Sequence, residues 1–135
     1  MALALKAGTL YFMIVFAAGF ALGTLRVLVV IPAIGELAAV VLELPVILFV
    51  SWIVCRRLVK RFSVPPEVAP RTAMGAIAFA LLMLAEFALS TLVFGRSGAV
   101  YFALLQTPSG LLGLAGQIAF AFLPVLQAKK LFDTY

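Results

Sequence analysis

The chain has 135 residues, of which 66% are hydrophobic and only 11% are charged. A water-soluble domain is about half apolar, and a chain this short cannot bury so much apolar surface in a single core. We therefore expect most of its surface to face lipid. Ten basic residues stand against five acidic ones. They cluster at the ends of apolar segments, which is typical of membrane topology signals and not of nucleic-acid binding.

Scarce residue types limit the chemistry that the chain can perform. It has no histidine and one cysteine, Cys55. An internal disulfide is thereby excluded, and the ligands for a zinc, haem or iron–sulfur centre are missing within one chain. A serine nucleophile would lack its histidine base. We expect no cofactor, no metal site and no catalytic residue, and the sequence argues against an enzyme.

Four apolar segments have roughly the 20 residues that a bilayer core requires. They predict one all-α integral membrane domain over residues 1–135, built as a four-helix transmembrane bundle. The predicted spans are about 9–30, 36–57, 72–94 and 108–126.

Two segments between the spans need separate treatment. Residues 56–71 are basic and contain Pro65, Pro66 and Pro70, which predict an extended cytoplasmic loop. Residues 99–106 are apolar but short. They form either a separate interfacial helix or the first turns of the fourth spanning helix.

The basic residues predict the orientation in the membrane. Lys6, the basic residues of 56–71, and Lys129 with Lys130 fall on one side of a four-span protein, and the other side has Arg96. Basic residues accumulate on the cytoplasmic side. We therefore expect a multi-pass protein of the bacterial inner membrane with both termini in the cytoplasm.

Four polar side chains are predicted to lie within the membrane, namely Arg26, Glu43, Glu86 and Gln117. Arg26 and Glu43 flank the first turn at similar depth, so we expect them to pair. The pair is either a structural clamp or a site for an ion or anionic ligand; alternatively, Arg26 reaches the outer headgroups. Glu86 is either a proton-relay carboxyl or one hydrogen-bonded to Ser90, Gln117 or a backbone carbonyl.

Small residues predict where helices approach closely. Gly19 and Gly23 have the GxxxG spacing that allows two membrane helices to pack, and Arg26 shares their face. Gly113 and Gly116 lie in a fourth span rich in glycine and alanine. That span is expected to pack against a helix of the same chain or of a second copy.

The two halves of the chain resemble each other. Residues 20–25 read FALGTL and residues 87–92 read FALSTL, while Gly35 and Gly98, like Pro45 and Pro108, stand 63 positions apart. These matches favour two parallel repeats of a two-helix hairpin. The alternative is chance similarity between apolar helices.

Residues 19–45 carry a pattern of GxxxGT[IL]RVL, then PxxG, then ExP. It consists here of Gly19, residues 23–28, Pro32 with Gly35, and Glu43 with Pro45. In this pattern the chain resembles an uncharacterised family of small four-span bacterial inner-membrane proteins. The resemblance implies four spans and that location, and it implies no substrate, cofactor or reaction.

Two functions are consistent with these features. The first is a small transporter or channel-like protein, which would act as an oligomer because four short helices leave little room for a pathway. Glu86 would exchange a proton, and Arg26 with Glu43 would form a gate. The second is a non-catalytic accessory or assembly subunit of a membrane complex, whose polar residues serve packing. The expected partners are the lipid bilayer and either further copies of the chain or a membrane complex.

Overall fold

The computed structural model describes residues 2–65, 67–93 and 95–127. This part of the chain forms helices and no strand, which confirms the all-α class. Four of its helices are long and apolar enough to cross a membrane, as a multi-pass membrane protein requires. The helices are α1 (Ala2–Ile34), α2 (Glu36–Arg61), α3 (Val68–Val93), the short α4 (Gly98–Leu105) and α5 (Pro108–Leu126).

The four long helices form a ring. Both α1 and α5 pack against α2 and α3, so α2 and α3, although consecutive in the chain, stand diagonally opposite each other. The starts of α1 and α3 are in close contact, because a Cβ on Gly8 would lie 2.7 Å from the carbonyl oxygen of Met74. Arg71 at the start of α3 donates to the Pro124 carbonyl near the end of α5, at 3.1 Å.

These contacts define two ends of the bundle. The basic end holds the starts of α1 and α3 and the ends of α2 and α5, and therefore Lys6, the basic residues of 56–61 and Arg71. The turn end holds the α1–α2 turn at Gly35 and the α3–α4 connection. Lys129 and Lys130, which contribute to the predicted orientation, lie outside the described residues.

The packed core lies in the basic half. Tyr11 is fully buried there; its hydroxyl donates to the Phe120 carbonyl at 2.7 Å, and the two rings stack with centroids 4.2 Å apart. Large apolar side chains cover the outside of the bundle, as expected for a surface in lipid. The core residues are Ala4, Ala7, Tyr11, Val15, Cys55, Leu58, Val64, Met74, Ala78, Leu82, Phe120 and Leu123.

The end of α1 differs from the sequence prediction. The first span is predicted to end at about residue 30, but the helix continues through Pro32, which lies in its last turn, and ends at Gly35 with φ 89°. A proline crowds the carbonyl four residues before it and donates no hydrogen bond. The residues just before Pro32, Arg26–Val30, form a π-helical stretch, and such an altered bonding pattern accommodates the proline.

The predicted loop at 56–71 is mostly helical. Helix α2 continues through its basic residues to Arg61, and α3 already begins at Val68. Pro70 therefore lies in the first turn of α3, where an N–H has no acceptor within the helix and a proline is tolerated. The connection is reduced to residues 62–67, of which Pro66 lies outside the described residues.

The second half is interrupted where the first is continuous. Residues 98–105 form the separate helix α4, which decides between the two alternatives for this segment. Pro108 begins α5, whereas its counterpart Pro45 lies inside the unbroken α2. A second π-helical stretch, Leu89–Val93, ends α3. It begins 63 positions after the first stretch, Arg26–Val30, and this is also the separation between Pro45 and Pro108. This correspondence adds a structural match to the sequence repeat. The predicted end of the third span, Phe94, lies outside the described residues.

Candidate functional site

Arg26 and Glu43 form the predicted ion pair. Arg26 is the first residue of the π-helical stretch of α1, and Glu43 lies two turns into α2. The Arg26 Nη1 atom donates to Glu43 Oε2 at 2.6 Å. The Glu43 side chain is 15% exposed and that of Arg26 32% exposed. The pair therefore joins the first hairpin near the turn end while leaving part of the guanidinium accessible.

Glu86 and Gln117 form a second polar pair, between α3 and α5. The Gln117 Nε2 atom donates to both carboxylate oxygens of Glu86, each at 2.6 Å. This is one of the partners that the sequence allows for Glu86. The amide donors suit an ionised carboxylate, whereas the Oε1 atom of Gln117 is buried and has no partner within the described residues.

Both pairs line the same cavity, which occupies the half of the bundle toward the turn end. Its volume is about 610 Å³, within the range of small-molecule sites. Its walls come from all four long helices and are mainly apolar. The lining residues are Val15, Phe16, Gly19, Phe20, Gly23, Thr24, Arg26, Val27, Leu28, Val40, Glu43, Leu44, Ile47, Leu48, Ser51, Leu82, Glu86, Leu89, Arg96, Gly113, Gly116, Gln117 and Phe120.

Two basic and two acidic side chains therefore surround one partly open space. Arg26 and Arg96 lie at the turn end of the cavity, together with Glu43, and Glu86 lies deeper in the bundle. Arg26 is also close enough to Glu86 for their charges to interact. One Arg–Glu pair is in direct contact, and the carboxyl group of Glu86 and the Arg96 side chain line the same space.

The predicted packing glycines have different surroundings. Gly116 lies directly against the Leu44 side chain of α2, and a Cβ on Gly19 would meet Ile47 at 3.8 Å. The closest neighbour of Gly23 is the side chain of Arg26 itself, and Gly113 has nothing within 4 Å. Gly23 and Gly113 thus leave room in the cavity wall within this chain.

Several polar residues of the structure are not singled out by the sequence. Arg71 is 3% exposed and donates to the carbonyls of Val64, Pro65 and Pro124, which ties the α2–α3 connection to α5. Ser51 donates to the Ile47 carbonyl within α2 and faces the cavity. A basic residue beside helix-breaking prolines looks like a topology signal, so sequence gives no indication of the role of Arg71.

Two buried hydroxyl groups lie near Glu86, one from Ser90, a helical turn further along α3, and one from Tyr101 of α4. Ser90 Oγ and Tyr101 Oη are buried, and neither has a hydrogen-bond partner in the described part of the chain. Burial raises the pKa of the Tyr101 hydroxyl, and the neighbouring Glu86 carboxylate raises it further. Tyr101 therefore stays protonated and keeps a proton to donate.

The described residues offer no group of three or more histidine, cysteine, aspartate or glutamate side chains that could hold a metal ion. The chain matches no family model, no curated protein sequence and no solved structure.

Proposed function

We propose that this protein is a small transporter of the bacterial inner membrane and that the cavity is its substrate site. The observation that carries the proposal is the meeting of Arg26, Glu43, Glu86 and Gln117 around one cavity of about 610 Å³. Protein interiors are normally packed without large voids. A bundle that is densely packed in its basic half and hollow around its charged residues fits a binding site better than a clamp.

The charges around the cavity suggest how binding and opening are linked. A substrate with an anionic group would compete with Glu43 for Arg26, whose guanidinium is partly accessible. Separation of Arg26 from Glu43 would release the contact that joins α1 to α2 at the turn end. Glu86 would exchange a proton, since protonation removes the charge that the amide of Gln117 stabilises. The substrate class that fits is a small amphipathic anion.

The orientation and assembly complete the proposal. The basic end, which holds Lys6, Arg71 and the basic residues of 56–61, faces the cytoplasm according to the distribution of basic residues, so the turn end faces outward. The protein acts as an oligomer in the lipid bilayer and performs no covalent chemistry. The pattern in residues 19–45 supports membership of the small four-span inner-membrane family that it resembles.

One observation favours the alternative of a non-catalytic accessory subunit of a membrane complex. Each of the four half-buried polar residues around the cavity has a partner in the same chain, Arg26 with Glu43 and Glu86 with Gln117. Paired polar groups can serve packing alone. In that case lipid or a partner subunit would occupy the space that the proposal assigns to a substrate.

Alternating access of the cavity distinguishes these two functions. We would replace Gly113, which has open space before it, by cysteine and treat oriented membrane vesicles with a charged, impermeant methanethiosulfonate reagent. A transporter exposes the cavity to each side in turn, so Gly113→Cys should react from both faces. Reaction from one face only, or from neither, would favour the accessory role.

Two controls make this experiment specific. The unmodified chain is the blank, because Cys55 is fully buried. Leu84→Cys is the matched spanning-helix control, since Leu84 is 66% exposed on the outside of the bundle and a thiol in lipid does not ionise. Reaction of Leu84→Cys as fast as that of Gly113→Cys would show that the reagent does not report on the cavity.

A further inference from the structure

Ser90 and Tyr101 have buried hydroxyl groups and take no part in the cavity. Each is 7% exposed, and neither lines the cavity. Buried polar side chains almost always have a partner, and those without one often have a catalytic role or a contact with water. Two such hydroxyls beside the same carboxyl group therefore require an explanation.

Both hydroxyls belong to the surroundings of Glu86. Ser90 lies one helical turn beyond Glu86, within the π-helical stretch that ends α3. Tyr101 packs edge-on against Phe87, the next residue after Glu86, with ring centroids 5.1 Å apart, and it is close enough to be influenced by the Glu86 charge. The hydroxyls thus lie between Glu86 and the α3–α4 connection, whose residues 95–97 are exposed at the turn end.

We propose that Ser90 and Tyr101 conduct protons between Glu86 and the turn end by a route that is separate from the cavity. The inference rests on the proton exchange at Glu86 in the proposed function and adds a path for it. A separate path would let Glu86 change its protonation while a substrate fills the cavity. The substrate would approach the carboxyl group from the cavity, and the proton would approach it along the helix from Ser90, which does not line the cavity.

The transfer leaves both hydroxyls unchanged. A proton from water at the turn end joins an oxygen lone pair of Tyr101, and the hydroxyl proton of Tyr101 passes on toward Ser90, with water bridging any gap longer than a hydrogen bond. Ser90 receives this proton and releases its own to Glu86. One O–H bond forms at the carboxylate, which becomes a neutral carboxylic acid, and the reverse sequence returns the proton.

The charged groups around Glu86 differ on its two sides. Toward the cavity it faces Arg26 of α1, Glu43 of α2 and Arg96 of the α3–α4 connection. Toward α5 it meets the amide of Gln117. The side toward α4 presents the neutral hydroxyl of Tyr101, and the outer end of the route lies beside Arg96, whose backbone N–H donates to the Ser90 carbonyl at 3.0 Å.

Infrared difference spectroscopy of the protein in lipid nanodiscs can follow this transfer. The C=O band of protonated Glu86, identified by its absence in Glu86→Gln, shifts when the acid proton is exchanged for deuterium after mixing with D₂O. The exchange is measured with the cavity free and with the cavity blocked by a bulky maleimide on Gly113→Cys. We expect exchange to persist in the blocked protein.

Hydroxyl deletions in the blocked protein then test the route. Tyr101→Phe should slow the exchange on the order of 100-fold while keeping the ring contact with Phe87, and Ser90→Ala, a smaller change, should also slow it. Thr91→Val is the matched control, because the Thr91 hydroxyl already donates to the Phe87 carbonyl and should have no effect. Melting temperatures show that each variant is folded.

Each outcome separates the inference from the proposed function. Exchange that stops on blocking alone, or is unaffected by both deletions, overturns the separate route and leaves the transporter proposal standing. The absence of any titrating Glu86 band in the wild type overturns both. If the maleimide does not reach Gly113→Cys, the transporter proposal fails, and slowing by Tyr101→Phe in the unblocked protein still supports the route.

Discussion

At the scale of single residues, the sequence predicts polar pairing where the chain connection fixes depth. Arg26 and Glu43 belong to one hairpin with a single turn, so their similar distance from Gly35 places them side by side, and the 2.6 Å contact confirms this. Glu86 and Gln117 are separated by α4 and two connections. Their pairing depends on how α3 and α5 rotate against each other, which sequence alone leaves as one of several alternatives.

Glu86→Gln tests the proton exchange at this residue. A glutamine keeps a hydrogen bond to Gln117 and resembles the protonated acid, so the fold and the melting temperature in detergent should be preserved. Once the ionisation of the cysteine thiol itself is corrected for, the reactivity of Gly113→Cys should remain at the level that the cavity with Glu86 shows at low pH and should no longer change with pH. Labelling rates over a pH series provide the measurement.

Glu36→Gln serves as the matched control for that experiment. Glu36 is an exposed carboxyl outside the cavity and accepts a hydrogen bond from Ser109 at 3.0 Å. The labelling of Gly113→Cys should keep its pH response in this variant. A pH response that survives Glu86→Gln, or disappears in Glu36→Gln, would assign the titration to another group.

A double-mutant cycle measures the coupling between Arg26 and Glu43. Removal of either partner leaves the other charge in apolar surroundings. The two single alanine substitutions should therefore lower the free energy of unfolding by more, when their effects are added, than the double substitution does. We expect a coupling of about 1 kcal/mol or more in the free energy of unfolding in mixed detergent micelles. Single effects that simply add would show that the contact contributes no stability of its own.

At the scale of helices, the apolar segments predict which helices exist. The polar and proline residues at the ends of these segments make the predicted helices shorter than the observed ones. Helix α2 retains four basic residues in its last turns, since at the bilayer surface charged side chains remain in water while the backbone stays helical. Pro32 and Pro70 lie within helices because a π-helical stretch precedes one and the other stands in a first turn. The apolar pattern of the sequence indicates neither how far α2 continues into its basic residues nor that these two prolines lie inside helices.

Helix contacts are also not readable from glycine spacing alone. Between the long helices, the glycines closest to an opposing backbone are Gly8 and Gly75, which the sequence does not distinguish from other glycines. A Cβ on Gly75 would overlap the Ala121 carbonyl oxygen of α5, whereas one on Gly113 would meet nothing.

These surroundings predict opposite effects of the same substitution. Gly75→Ala must push α3 away from α5 and should lower the free energy of unfolding by about 1–3 kcal/mol. Gly113→Ala adds a methyl group to open space in a helix and should raise it by up to about 1 kcal/mol, because alanine is the better helix former. Unfolding in mixed micelles measures both variants. Equal effects would mean that the α3–α5 crossing is looser than the structure shows.

At the scale of the whole molecule, the protein has a packed basic half and a hollow turn half. The sequence predicts the four-helix bundle from composition and segment length alone, and it locates the polar residues by depth. It does not predict that these residues meet around one cavity, because that follows from the ring order, in which α1 and α5 each pack against both α2 and α3.

The asymmetry between the two ends predicts the orientation in the membrane. Basic residues stay on the cytoplasmic side, so an impermeant thiol reagent applied to spheroplasts should label Ala33→Cys, exposed at the turn end, and should leave Ser63→Cys, exposed at the basic end, unlabelled until the membrane is permeabilised. Replacement of Arg56, Arg57, Lys60 and Arg61 by glutamine should increase the fraction of inverted molecules, because it removes four of the eight basic residues on the predicted cytoplasmic side. Labelling of Ser63→Cys in intact spheroplasts would show that the orientation is the opposite of the predicted one, with the turn end and its cavity toward the cytoplasm.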